Sequence, residues 1–346
     1  SKGEAEQMSV GVAQNALQDT PGPAPMAHKD GAMGRSWHNG ARDMREGAVH
    51  LGLNFDEQWR RVMEVETPVL SRAGNSDPNI GSMATDDPRK RYLRTSPEYA
   101  MKRLLAAGYG DIYELGRVFR RGEKGRQHNP EFTLLEWYRV GMNYLDLASE
   151  VIELIRECGD GNFEGWDEQR LSYRKLFIEH TGLDPFVCRE EELAACAAER
   201  GLSAGPMEQP EWLDLILAEV VQPGLPGECF TVVCDFPPEQ AALARIRPAD
   251  PAVAERFEVY LGQVELANGY QELTDPAEQL QRFERERRLR EIRGEDPPPL
   301  DTRLIEALQH GLPECSGVAL GVDRLLMCLL KMDRVDSVLA FSSDRA

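Results

Sequence analysis

The chain has 346 residues, 41% of them hydrophobic, enough to fill one large core or two ordinary ones. Forty Lys and Arg against 59 Asp and Glu leave a net charge of -19, which repels nucleic acid over most of the surface and confines a phosphate-bearing ligand to a local exception. The seven cysteines are scattered without a C-x-x-C pair, no apolar run approaches the roughly 18 residues of a membrane span, and the N-terminus lacks the order of a signal peptide; a reduced, cytoplasmic protein without membrane association is expected.

Residues 1–55 form a poorly patterned N-terminal segment, rich in Gly, Ala, Met and Ser with PGPAP at 21–25, and are expected to be loop or weakly ordered tail. A folded domain is expected over 56–346, opening with a short helix from Phe55 to Val62. EVETPVL (64–70) then alternates and meets Pro68, as an edge strand would. After a Gly- and Pro-bearing loop to Arg89, Thr95-Ser96-Pro97-Glu98 reads as a capped helix start with proline at the first helical position. That helix continues through YAMKRLLAAG and ends at Gly108 and Gly110.

From Gly116 to Tyr138 the sequence GRVFRRGEKGRQHNPEFTLLEWY reverses the charge of the chain. Arg117, Arg120, Arg121, Lys124 and Arg126 stand against Glu123 alone, between two apolar alternating runs. This predicts a strand, a cationic loop and a returning strand that deliver Arg120 to a polyanion, a nucleotide rather than a long nucleic acid. On the returning strand Leu134, Glu136 and Tyr138 share one face and Thr133, Leu135 and Trp137 the other. A carboxylate and a phenol on one face of a buried sheet need a polar partner, and a cationic substrate is the natural one.

Beyond it, Tyr144 to Cys158 has helical apolar spacing, 171–227 reads as helical and irregular, and FTVVCDFP (230–237) as a buried strand. RFEVYLGQVELANGYQEL (256–273) holds two strands around Gly262, the charged run 277–293 reads as a helix with a solvated face, and SGVALGVDRLLMCLLKM as a strand followed by an apolar helix. Strands paired through hairpins and separated by long helical insertions predict an α+β fold around an antiparallel sheet flanked by helices. No P-loop or Rossmann glycine pattern follows a strand, so ATP would bind by other means.

Three of these stretches together resemble the catalytic domain of class II aminoacyl-tRNA synthetases. EVETP is similar to the first motif of that family, FRRGEKGRQHNPEFTLLEWY to the second and GVALGVDRLLM to the third; HNPEFT, TSPE and ELANGYQEL are wording of the lysyl branch. The match runs from about Val62 to Ala346. Only 61 residues precede Val62, short of the about 100 that an anticodon-reading OB-fold needs, so the resemblance narrows to the truncated lysyl-synthetase-like branch without an OB-fold and without stable tRNA binding. The acceptor that this resemblance implies is a lysine side chain of elongation factor P.

That resemblance implies ATP-dependent, Mg2+-assisted formation of an aminoacyl-adenylate from lysine or β-lysine. Arg120 and Arg324 would be the catalytic cations on the phosphates, joined at the nucleotide by Arg121, Gly122, Glu123, Asn129, Glu265, Leu266 and Gly321, with Glu265 holding the metal. The amino acid would meet Ser96, Pro97, Glu98, Glu136, Tyr138, Asn268, Glu272 and Ala319. A homodimer through the first motif is expected. Two departures stand out. Where the family reads F-R-N-E this chain has Phe119-Arg120-Arg121-Gly122-Glu123, which displaces the adenine-contacting carboxylate by one; where it reads Gly-x-Gly-x-Gly, Ala319 puts a methyl group toward the amino acid. His128 reads as a structural turn residue, and Cys315 lacks the histidine partner a nucleophile needs. Two other activities fit the same residues: a ligase releasing a small-molecule product, and a catalytically silent paralogue acting as a binding module.

Overall fold

A computed structural model describes residues 62–202, 205 and 207–346; the helix expected at 55–62 and the segment 1–55 lie outside them. In chain order the described elements are β1 (Met63–Glu64), β2 (Leu70–Ser71), β3 (Tyr92–Leu93), α1 (Glu98–Ala106), β4 (Ile112–Phe119), β5 (Glu131–Val140) and α2 (Tyr144–Cys158). There follow β6 (Asp167–Ser172), α3 (Tyr173–Thr181), α4 (Glu190–Glu199), α5 (Gln209–Ile216), β7 (Cys229–Phe236), β8 (Ile246–Arg247), β9 (Val253–Leu261) and β10 (Val264–Gln271). The last are α6 (Pro276–Ile292), α7 (Thr302–His310), β11 (Cys315–Gly321) and α8 (Val322–Leu329).

Nine strands make one sheet in the order β1-β4-β5-β11-β10-β9-β7-β6, with β8 beside β9, while β2 and β3 pair separately. The hairpins expected around the cationic loop and around Gly262 are both present and antiparallel. The sheet is nevertheless mixed, because β1 runs parallel to β4 and β6 parallel to β7. Each parallel pair is joined by a long crossover carrying helices, α1 in the first and α3 to α5 in the second, which is the connection that parallel pairing requires. Strand β6, DEQRLS, and helix α7 were not legible, since β6 carries almost no apolar alternation.

The helix expected at 144–158 forms because Asn143 accepts hydrogen bonds from the amides of Leu145 and Asp146 and because Leu147, Val151 and Ile155 recur on one side. That side packs on Leu135, Trp137, Phe257, Val259, Val318 and Leu320 of the sheet, all buried. Each such side chain contributes about 1.5–3 kcal/mol by leaving water. The opposite face of the same strands is thereby turned toward α1 and carries the polar residues. Helix α6 is more than a solvated face: Gln279 and Phe283 are buried, and Arg290 reaches across to donate to the carbonyls of Ser76 (3.1 Å), Asp77 and Ile80 (2.8 Å). Arg282 likewise donates to the carbonyls of Ala242 and Ala244. At the tip of the β9–β10 hairpin Gly262 has φ +59°, and a Cβ there would meet the Gly227 carbonyl oxygen at 2.6 Å, so only glycine fits the turn.

Candidate active site

A cavity of about 330 Å3 opens on the polar face, walled by the start of α1, the β4–β5 loop and the middle strands of the sheet. The cationic loop and the start of α8 supply one end. Arg120 follows β4, its Nε donates to the Thr95 carbonyl (3.3 Å), its Nη1 lies 3.6 Å from Glu123, and its guanidinium sits over the Phe132 ring. Arg324 lies in the first turn of α8, where Nη1 donates to the Glu265 carbonyl (2.9 Å) and carboxylate (3.2 Å). Its Nη2 is 2.6 Å from Nε2 of His128. The turn histidine thus faces the cavity, and burial, followed by the Arg324 cation, lowers its pKa against the opposing pull of Glu123 and Glu265.

The other end lies deeper. Alternation along β5 sends Leu134, Glu136 and Tyr138 into the cavity and Trp137 into the opposite core, as the sequence expects. Glu136 accepts from Ser96 Oγ (2.8 Å) and from the Tyr138 hydroxyl (2.7 Å). Ser96 Oγ also accepts from the Glu98 amide, so Ser96 holds the helix start although Pro97, rather than a side-chain cap, occupies the N-cap position. One turn on, Lys102 Nζ lies 2.7 Å from Glu98 and 2.6 Å from Glu272. The sequence reading missed Lys102; its spacing of four from Glu98 on a helix was the available signal. The Glu272 contact is one of charge: its Oε2 is fully buried with no hydrogen-bond donor aligned on it. A Cβ at Gly317 would fall 2.3 Å from the Tyr138 ring and 2.4 Å from Glu272 Oε1, so glycine is what lets these two side chains lie flat on β11.

Burial raises the pKa of Glu136 to about 8, with the Glu98 charge adding to it, and that of Glu272 to about 7, where Lys102 opposes the shift. Beneath Asn268, buried Arg256 donates to its Oδ1 (3.3 Å) and pairs with Glu258. Of the residues expected at the site, Ser96, Glu98, Arg120, Glu123, Asn129, Glu136, Tyr138, Glu265, Leu266, Asn268, Glu272, Ala319, Gly321 and Arg324 all line this cavity. Pro97, Arg121 and Gly122 lie outside its lining: Pro97 sits at the head of α1, Arg121 pairs by backbone with Gly81, and both Arg121 and Gly122 are exposed. Asn129 is engaged already, donating to the Glu131 carbonyl and accepting from the Ser343 amide. Asn75 and Ile80, on the loop that Arg290 clamps, complete the wall and carried no sequence signal. Cys315 is fully buried and its thiol pKa pushed up, which leaves it inert.

A sheet bearing two arginines at one end of a cavity and carboxylates at the other, without a P-loop, is the architecture of one class of enzyme. The family model described as tRNA synthetases class II (D, K and N) matches residues 54–345, and the chain belongs to that family. It is an enzyme of the ligase class. Among similar proteins, the elongation factor P–(R)-β-lysine ligase of Yersinia enterocolitica is 46% identical over 297 residues, covering 83% of this chain and 90% of its own. The proteins of the same name from Vibrio parahaemolyticus and Vibrio cholerae are each 45% identical, covering 82% and 83% of this chain and 89% and 90% of theirs. No helix among the described residues is long and apolar enough to cross a membrane.

Proposed function

We propose that the enzyme activates (R)-β-lysine, or lysine, with ATP to an aminoacyl-adenylate and passes it to a lysine side chain of elongation factor P. The observation that carries this reading is the polarity of one cavity, with Arg120 and Arg324 at one end and Glu98, Glu136 and Glu272 at the other. A diamino acid has two ammonium groups for the carboxylates and one carboxylate that must approach a phosphate. Arg120, reaching from the loop toward Thr95, stands where carboxylate and α-phosphate would meet, and its planar fork suits both. Arg324 would take the far end of the triphosphate, exchanging its His128 and Glu265 contacts for phosphate oxygens.

No group of three or more metal-ligating side chains occurs among the described residues, and Glu265 is a single, partly exposed carboxylate. That donor set fits Mg2+, which keeps water and phosphate ligands, with Glu265 supplying one oxygen. The metal would supply charge neutralisation on the phosphates. The acceptor amine attacks the adenylate directly, so no enzyme nucleophile is required. Exposed Met63, Val69 and Leu70 beside the edge strand β1 support a homodimer through that region, and the net charge of -19 supports independence from tRNA. The test is pyrophosphate exchange dependent on lysine or β-lysine, followed by transfer of labelled amino acid to purified elongation factor P with tRNA as control. Label on the protein alone is expected; label on tRNA alone, or turnover with a small amine and no protein acceptor, would overturn the reading.

A further inference from the structure

The carboxylate end holds more negative charge than its own cations balance. Glu98, Glu136 and Glu272 converge there, and Lys102 is the cation placed among them, divided between Glu98 and Glu272. Glu136 forms no ion pair with any described cation; its partners are the hydroxyls of Ser96 and Tyr138. The choice of partner matters. A guanidinium or a backbone amide can only donate and would lock a carboxylate in its ionised form, whereas hydroxyls donate or accept and serve either form equally well.

The groups facing Glu136 from each neighbouring element reinforce this. Helix α1 presents Glu98, β5 itself Tyr138, and the residue following β10 presents Glu272, with Lys102 of α1 lying between Glu98 and Glu272. Strand β4 presents Glu114 directly opposite, but that carboxylate is consumed by Arg94 and the Thr67 amide. Strand β11 presents only Ala319 and Gly317. The cation in this shell, Lys102, is held by Glu98 and Glu272 rather than by Glu136, and Glu136 is itself almost completely buried although it lines the cavity. An unbalanced ion of that kind takes up a proton.

We infer that Glu136 is a proton-for-ammonium exchange site: empty, it carries a proton, and an ammonium group of the amino-acid substrate displaces that proton to solvent on binding. This rests on the lysine-type substrate proposed above. The step balances simply. The Glu136 O–H bond breaks, the proton leaves to water, and the carboxylate accepts an N–H hydrogen bond from an ammonium that stays protonated. Lys102 fixes how many charges the ligand must bring: three carboxylates less one ammonium leave two, the number on a diamino acid. The raised pKa of Glu136, about 8 in the empty site, places the exchange in the physiological range.

The experiment is calorimetric titration of L-lysine and of (R)-β-lysine into the full chain, in phosphate and in Tris buffer, at pH 6, 7, 8 and 9. The difference in heat between the two buffers counts protons. About one proton released per ligand is expected at pH 7 and close to none at pH 9, with affinity weakening about tenfold from pH 7 to pH 6. Glu136→Gln keeps the hydroxyl partners but has no proton to exchange there, so what binding it retains should release less proton at pH 7 and lose most of the tenfold pH dependence, leaving only the smaller response of Glu272, whose pKa is raised to about 7; if that variant misfolds, the proton count of the unaltered protein decides alone. Binding of either lysine with no proton released and a flat affinity over that range overturns the inference. Failure of both lysines to bind at any pH overturns the substrate reading, and the exchange falls with it.

Discussion

At the cationic end of the cavity Arg120 and Arg324 keep 26% and 20% of their side chains in solvent; Arg120 stands 3.6 Å from Glu123, and Arg324 3.2 Å from the Glu265 carboxylate. At the carboxylate end Lys102 and Glu272 keep 1% each and lie 2.6 Å apart. The wet end offers charges whose present partners are worth about 0–1 kcal/mol per pair and are readily exchanged for those of an arriving polyanion. In the dry end a missing or surplus partner costs several kcal/mol, so that is where ligands are told apart. On the proposed function the two ends would divide the work of one site, the first binding the phosphates and the second choosing the amino acid.

The sharpest way to break this contrast is Lys102→Met, which keeps the length of the side chain and removes its charge. Glu98 and Glu272 then face each other without a counter-ion, and a loss of about 3–5 kcal/mol in unfolding free energy is expected from urea titration. A change below about 1 kcal/mol, the range of exposed pairs, would show that the deep end is wetter than its burial implies. The same dryness has a pH signature. Glu136 is held above its ordinary value, so between the usual carboxylate range and about pH 8 the folded chain keeps a proton that the unfolded chain has lost. The stability it contributes is present at low pH and declines as pH rises through 8, and the melting temperature of Glu136→Gln should fall less than that of the unaltered chain over pH 6 to 8.5.

At the wet end Arg120→Ala should lower kcat for pyrophosphate exchange by about 10²–10³-fold while leaving thermal stability nearly unchanged, since its present contacts are weak. Arg120→Lys should recover only part, because a point charge cannot fork between a carboxylate and a phosphate. A smaller effect is expected at Arg290. Arg290→Met leaves the carbonyls of Ser76 and Ile80 without their donor, at about 1–3 kcal/mol, and loosens the loop bearing Asn75 and Ile80. The KM for the amino acid should then rise several-fold, with exchange kinetics as the measure.

How far the sequence carried differs between the two ends for physical reasons. Arg120, Glu136, Tyr138 and Arg324 sit beside or on strands and at a helix start whose period and punctuation are local, so their placement was readable from alternation and motif order. Lys102 was not, because a lysine on a helix is ordinarily solvated and only the fold brings Glu272, 170 positions later, against it. The same holds for Arg290, hidden in a run of charges that elsewhere on α6 does face water. Parallel pairing at the sheet edges was also out of reach, since it depends on crossovers rather than on strand composition. Arg121 and Gly122 show the converse: the resemblance to the second motif implied a place at the nucleotide, yet both are exposed and outside the cavity lining, Gly122 in a turn at φ +86°.

The smallest predicted effect tests the finest discrimination. Ala319 lies opposite Glu136 on β11 and beside Asn268 on β10, and lines the cavity between the two ends. On the proposed function its methyl group would border the path of the amino acid between those ends. Moving the first amine one carbon along the chain, as in β-lysine, changes the path past this methyl without changing the charges that Glu98, Glu136 and Glu272 require. On the proposed function, selection between the isomers would therefore be steric, at a site whose charges suit both. One methyl group in a packed pocket is worth about 1–3 kcal/mol, so Ala319→Gly should shift the ratio of kcat/KM for β-lysine over lysine toward lysine by about tenfold or more, with KM for ATP unaltered. Both substrates measured side by side decide it. A preference of the unaltered enzyme for lysine, or a ratio that Ala319→Gly leaves in place, would move the origin of isomer choice away from β11 and onto the carboxylates of the dry end.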